Sequence, residues 1–202
     1  MKPLLIFLLL TAPAGAQWRH FGTPERQVTG YFGVGAAAPI NPAATRLDTG
    51  WSLAGGVGVT TNYVGVMLDA TFVDFGLNHT ALLRAGVPEG SQKYWAITGN
   101  PAFHVNQRGP VDFYVTAGGG LYSQITEFRL GRGYSGPFSG GDDLLGRYTL
   151  YKPGVNGGAG FSFNLGYHNP VKIFAEARFH HMFTAGPGSG VSFIPVTVGV
   201  RF

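Results

Sequence analysis

From Ile194 to Phe202 the chain alternates strictly. Ile194, Val196, Val198, Val200 and Phe202 fall on one face; Pro195, Thr197, Gly199 and Arg201 fall on the other. Period two is the mark of a strand whose faces meet different surroundings. The same pattern recurs seven times upstream. Val28, Gly30, Phe32, Val34 and Ala36 share a face, then Trp51, Leu53, Val57 and Val59, then Val64, Val66, Leu68, Ala70 and Phe72. Next come Trp95, Ile97, Phe103 and Val105, then Val111, Phe113, Val115, Ala117 and Leu121. Val155, Ala159, Phe161 and Phe163 follow, and Val171, Ile173, Ala175, Ala177 and Phe179 complete the seven. Only Thr80–Ala85 reads as locally helical. The eighth strand ends on an aromatic at full hydrophobic strength, where soluble domains usually fray. Something must hold Phe202 in place.

The connections alternate in length. Long ones fall at about 38–49, 76–93, 129–148 and 184–191, and short ones at 61–63, 107–110 and 166–170. In an up-and-down meander all the long connections then gather at one end and all the tight turns at the other. That is the layout of a membrane-spanning barrel with an even strand number. The face opposite the apolar one is small, polar or charged: Gly56 and Gly58, Met67 and Asp69, Thr116 and Gly118, Glu176 and Arg178. Gly makes up 33 of the 202 residues, and charged residues only 12 % against roughly 25 % in ordinary soluble domains. Glycine weakens a strand unless space is tight, and the interior of a narrow barrel is tight. The apolar face is therefore expected against lipid and the glycine-rich face in the lumen. Trp51 and Trp95 near the long connections, with Phe113, Phe163 and Phe202 near the short ones, give the two aromatic girdles of such a barrel.

The N-terminal "MKPLLIFLLLTAPAGA" has one lysine, a short apolar run and an Ala-x-Ala site. It reads as a signal peptide over 1–16, too short to span a bilayer, which takes roughly 20 residues. Residues 17–27 are expected as a short periplasmic segment and 28–202 as the barrel. The chain has no cysteine, which excludes thiol catalysis and disulfides and suits an oxidising compartment. The net charge of +4 is scattered, without the basic stripe of a nucleic-acid binder.

The export signal, the alternating strands and the terminal "VTVGVRF" resemble the small outer-membrane β-barrel families of the OmpA-domain and OmpX type. "GNPAFHV" and "FAEARFHHMF" are similar to segments of uncharacterised barrels of this kind. The resemblance implies an eight-stranded antiparallel up-and-down transmembrane barrel with long external loops and short periplasmic turns, surrounded by outer-membrane lipid. It implies no known activity and no cofactor. It also implies that Val196, Val198, Val200 and Phe202 form the element read by the barrel-assembly machinery.

Within the lumen, the third and seventh strands face each other in an eight-stranded barrel. Asp69, Glu176, Arg178 and His180 are the expected lumen network, structural rather than a proton or ion path, because charges in a narrow interior need partners. His180 and His181 point to opposite faces and cannot chelate one ion; His104, if also in the lumen, could join His180, but a hydrogen-bonded structural histidine is the expectation. "SGGDDLLG" (139–146) lacks the spacing of a calcium loop, and the third external loop ("RLGRGYSGPFSGGDDLLGRY") mixes glycines with aromatics and arginines, its partner open. Pro101 on the lipid face of the fourth strand predicts a bulge or break. The expected role is structural, adhesive or weakly pore-forming. Two alternatives remain: a soluble exported lipocalin-like barrel binding an apolar ligand, with aromatics inside and charges outside, and a lipid-modifying enzyme using His181 and Ser192.

Overall fold

The structure, a computed structural model, describes residues 27–40, 42–61, 63–106, 110–129, 144–165, 171–184 and 190–202. The signal-peptide reading over 1–16, most of the third external loop and the 166–170 turn lie outside them.

Eight strands form one closed antiparallel barrel in sequence order, β1 to β8. They are β1 Gln27–Ile40, β2 Gly50–Thr60, β3 Val64–Gly76 and β4 Glu89–His104, then β5 Val111–Arg129, β6 Leu144–Asn164, β7 Lys172–Met182 and β8 Val191–Arg201. β1 begins one residue before the expected barrel start. β4 begins at Glu89, so the second long connection is shorter than the sequence predicts. Within that connection α1, His79–Ala85, matches the helical reading of 80–85. Asn78 caps it, its side chain accepting from the Ala81 N–H at 2.9 Å while donating to the Thr45 carbonyl. That second bond pins α1 onto the β1–β2 connection.

Closure comes from β1 pairing β8, from Tyr31 opposite Arg201 to Ile40 opposite Ser192. One step further out Phe202 and Gly30 exchange backbone hydrogen bonds of 2.8 and 2.9 Å. An open edge in lipid would leave each such group unsatisfied at several kcal/mol, so the chain's last residue is held by the first strand.

Pro101 neither bulges nor breaks β4. Its pairing to β3 is continuous, Val66 opposite Pro101. Toward β5 the ladder skips from Gly99–Gly119 to Ala102–Thr116 with no shift of register. The missing N–H thus costs a gap in one ladder, and Thr116 Oγ1 donates to the Pro101 carbonyl at 3.0 Å beside the gap.

The faces sort as the alternation predicts. Val66, Leu68, Ile97, Phe113 and Val198 are all more than half exposed on the outside. Outside near the long-strand end, Trp51, Phe72 and Trp95 touch in series with ring centroids 5.1 and 4.6 Å apart. At the other end Phe113, Phe161 and Phe163 do the same. The core is the lumen itself.

Candidate functional site

The lumen is filled in layers. Toward the end of the barrel that carries the long connections (the long-strand end), Val73, Phe75, Tyr94, Tyr122, Met182 and Phe193 pack into an apolar plug. Phe75, Tyr94 and Phe193 meet pairwise at 5.3 to 5.8 Å between ring centroids. The sequence reading, which took the inner face as small and polar, missed this layer. Its signal was present: Phe75 and Phe193 have the lumen parity of their strands.

Below the plug lies an ionic layer. Arg178 on β7 reaches across to Asp69 on β3, Nη1 to Oδ2 at 2.7 Å, and its Nε donates to Glu176 Oε1 at 2.7 Å. Asn100 on β4, absent from the sequence reading, donates to the same Asp69 oxygen and to Thr98 Oγ1. All these side chains are enclosed. Glycine makes the room: a β-carbon at Gly56 would strike the Asp69 carboxylate and lie 2.6 Å from the Tyr31 ring. The structure therefore brings Asp69, Glu176 and Arg178 together and leaves His180 out. His180 belongs to the plug, stacked on Phe193 at 5.1 Å with nearly parallel planes, its Nδ1 3.0 Å from the Tyr122 hydroxyl.

A third layer closes the short-turn end. The Arg201 guanidinium lies 4.4 Å from the Tyr114 ring centroid and 5.4 Å from that of Phe174. His104 Nδ1 sits 2.6 Å from Asp112 Oδ2, and the other Asp112 oxygen accepts from the Asn106 N–H. This pair ties the end of β4 to the start of β5, in a different layer from His180. Among the described residues no set of side chains is arranged to hold a metal ion.

Outside, His181 and Ser192 face each other across the β7–β8 ladder, Nδ1 to Oγ at 2.8 Å, between Phe179 and Phe183. No carboxylate bonds to this histidine among the described residues. At the long-strand end Glu127 accepts from Lys93 at 2.7 Å and Arg129 at 3.0 Å, with Arg147 Nε 3.8 Å away. The Lys93 hydrogen bond above all holds the Glu127 carboxyl below the usual glutamate range. A cleft of about 300 Å3 beside it is lined by Leu77, Leu82, Glu89, Gly90, Ser91 and Arg129. The sequence reading placed Arg129 and Arg147 in the third external loop and did not single out Lys93 or Glu127; the structure puts Arg129 at the end of β5 and Arg147 in β6.

Side chains in the lumen tie β3, β4 and β7 together and fill the space between the strands. No protein-family model matches the sequence, and no curated protein matches it. Solved structures do match in fold. Neisserial surface protein A superposes with a TM-score of 0.56 at 16 % identity, covering 88 % of this chain and 97 % of that one. Yersinia pestis Ail, the attachment invasion locus protein, in complex with the heparin analogue sucrose octasulfate, gives 0.48 at 18 %, covering 87 % and 99 %. The N-terminal β-barrel domain of Pseudomonas aeruginosa OprF gives 0.44 at 16 %, covering 88 % and 100 %. The chain has the fold of the small eight-stranded outer-membrane barrels.

Proposed function

We propose that this protein is an integral outer-membrane barrel, exported on a cleaved signal over 1–16, with an obstructed lumen and a structural or adhesive role without enzymatic activity. The observation that carries the reading is the inversion of the usual burial pattern. The outside is a continuous apolar belt between two aromatic girdles, while Asp69, Glu176 and Arg178 are enclosed. Exposed apolar surface on that scale marks a membrane or a partner. The lipocalin-like alternative requires the reverse arrangement. The likeness in fold to a Neisserial surface protein supports the same location.

In this reading the long-strand end faces outward from the cell. The three lumen layers in series argue against a pore and for a rigid scaffold that displays its connections. Val196, Val198, Val200 and Phe202 present one outward apolar row on the closing strand, the surface on which the assembly machinery would act. Heat-modifiable gel migration of the outer-membrane fraction, with retention in the pellet after a carbonate wash, tests the proposal. Release by carbonate would overturn it. Conductance in planar bilayers separates obstructed from open.

A further inference from the structure

β8 is built in two pieces. Its ladder to β1 is unbroken, from Ile40 opposite Ser192 to Tyr31 opposite Arg201. Its ladder to β7 is not. Pairing runs from Met182–Val191 to His180–Phe193, then resumes at Ala177–Val196 and continues to Lys172–Arg201. The gap falls at Pro195, which has no N–H to donate. The similar gap at Pro101 is bridged by the Thr116 hydroxyl. Among the described residues no side-chain hydrogen bond crosses the gap beside Pro195. The lumen side chains nearest to it on β7 turn elsewhere, Arg178 to Asp69 and Glu176 and His180 to Tyr122.

Below the gap, Val196–Phe202 is gripped from inside the barrel. The Arg201 guanidinium lies 4.4, 5.4 and 5.8 Å from the ring centroids of Tyr114, Phe174 and Tyr31, all within the cation–π reach of roughly 6 Å. The three rings come from β5, β7 and β1, and all are buried. Tyr31 and Phe174 meet edge to face at 5.4 Å. Tyr114 lies over Gly160 of β6, where a β-carbon would come within 2.6 Å of its ring. β5 does not pair with β8, so its ring reaches Arg201 only across the lumen.

We propose that Val196–Phe202 is a strap, hinged at Pro195 and latched by Arg201, that closes the barrel as its last step. At the gap the strap bends without breaking a bond to β7. Arg201 is seated only once β1, β5 and β7 have converged, so its contact marks completed closure. The hinge falls immediately before Val196, Val198, Val200 and Phe202. The row on which the assembly machinery would act thus lies wholly on the strap. That last point rests on the reading above; the hinge and the latch stand without it.

The last piece to close is the first to open, and opening is what the test reads. The full chain, which has no cysteine, is placed in phosphatidylcholine nanodiscs, open to reagent on both faces. Single cysteines are introduced as V198C on the strap and L68C on β3. Both positions face outward, and each lies four residues from the short-turn end of its strand, at Phe202 and Val64. Labelling by a charged thiol reagent is timed in urea below the global unfolding midpoint. V198C should label faster than L68C. Arg201→Met should raise the V198C rate roughly tenfold, within the range of a desolvated cation–π contact, and leave L68C unchanged. Arg201→Lys should keep most of the protection, and in a Tyr114→Leu background Arg201→Met should add little. Pro195→Val, which restores an N–H, should bring V198C close to L68C. Equal labelling of the two cysteines in the otherwise unaltered chain overturns the strap, and an unchanged V198C rate in Pro195→Val overturns the hinge. An equal rise at both cysteines in Arg201→Met makes Arg201 a general stabiliser and overturns the latch, as does no rise at either. If Arg201→Met does not fold, Tyr114→Leu decides by the same selective rise at V198C. Failure to enter a bilayer at all is seen separately, in the gel migration, and overturns the membrane reading instead.

Discussion

The ring of Phe202 occupies the space where Gly30 would carry a side chain: a β-carbon there would lie 2.8 Å from Phe202 Cε2. The same two residues exchange two backbone hydrogen bonds one step beyond the closing β1–β8 ladder. The terminal aromatic is thus seated on a glycine of the first strand. Phe202→Ala should lower the yield of the heat-modifiable folded form while leaving any assembled barrel closed. Gly30→Val should displace the ring and destabilise by about 1 to 3 kcal/mol, the usual cost of overpacking. Gel-shift folding assays in vesicles measure both.

Arg178 compensates two enclosed carboxylates. Arg178→Met leaves Asp69 and Glu176 unpaired and should cost about 3 to 5 kcal/mol. The triple variant Asp69→Asn, Glu176→Gln, Arg178→Met should recover much of that loss, because no buried charge then lacks a partner. Urea unfolding in lipid vesicles gives both values; equal stability of the single and triple variants would contradict the ionic account.

The plug and the ionic layer lie in series along the lumen. Phe193→Ala removes the ring that packs on Phe75, Tyr94 and His180. It should cost about 3 to 5 kcal/mol yet leave the barrel non-conducting, since the Arg178 layer remains. Adding Asp69→Ala and Arg178→Ala together with Tyr114→Ala and Arg201→Ala in the third layer should produce conductance steps in planar bilayers. Conductance from Phe193→Ala alone would place the whole barrier in the plug.

Glu127 gives a pH signature. Its folded carboxyl is held below the ordinary value of 4.5, first by the Lys93 hydrogen bond. Such a group stabilises the fold at pH above that ordinary value, and the contribution disappears as pH falls through the lower folded value. The difference in thermal midpoint between wild type and Glu127→Gln should therefore be constant near neutrality and shrink only in acid. A difference that grew in acid would contradict the Lys93 pairing.

Much of this was legible in the chain. Alternation gave the facing of Asp69, Tyr122, Arg178 and Val198 because a strand side chain's side depends only on parity. The length contrast of the connections gave the ends. The helical stretch at 80–85 was legible because it is local, although its cap at Asn78 went unread. Pro101 was misread because local chemistry says only that one N–H is missing. Whether β4 must bulge depends on the neighbouring ladders, and β3 keeps the register intact.

His180 shows where the sequence stops. Parity puts it in the lumen with Arg178, only two residues away, yet it stacks on Phe193 in another layer, and His104 lies beside Asp112 near the opposite end. The sequence by itself determined which side of the sheet each residue occupies, since that follows from a period of two along one strand. Tertiary structure decided which residues meet across the lumen and which cations stand together on the rim. Those heights depend on the stagger of hydrogen bonds between successive strands, and the stagger is fixed only when β8 pairs with β1 and the barrel closes.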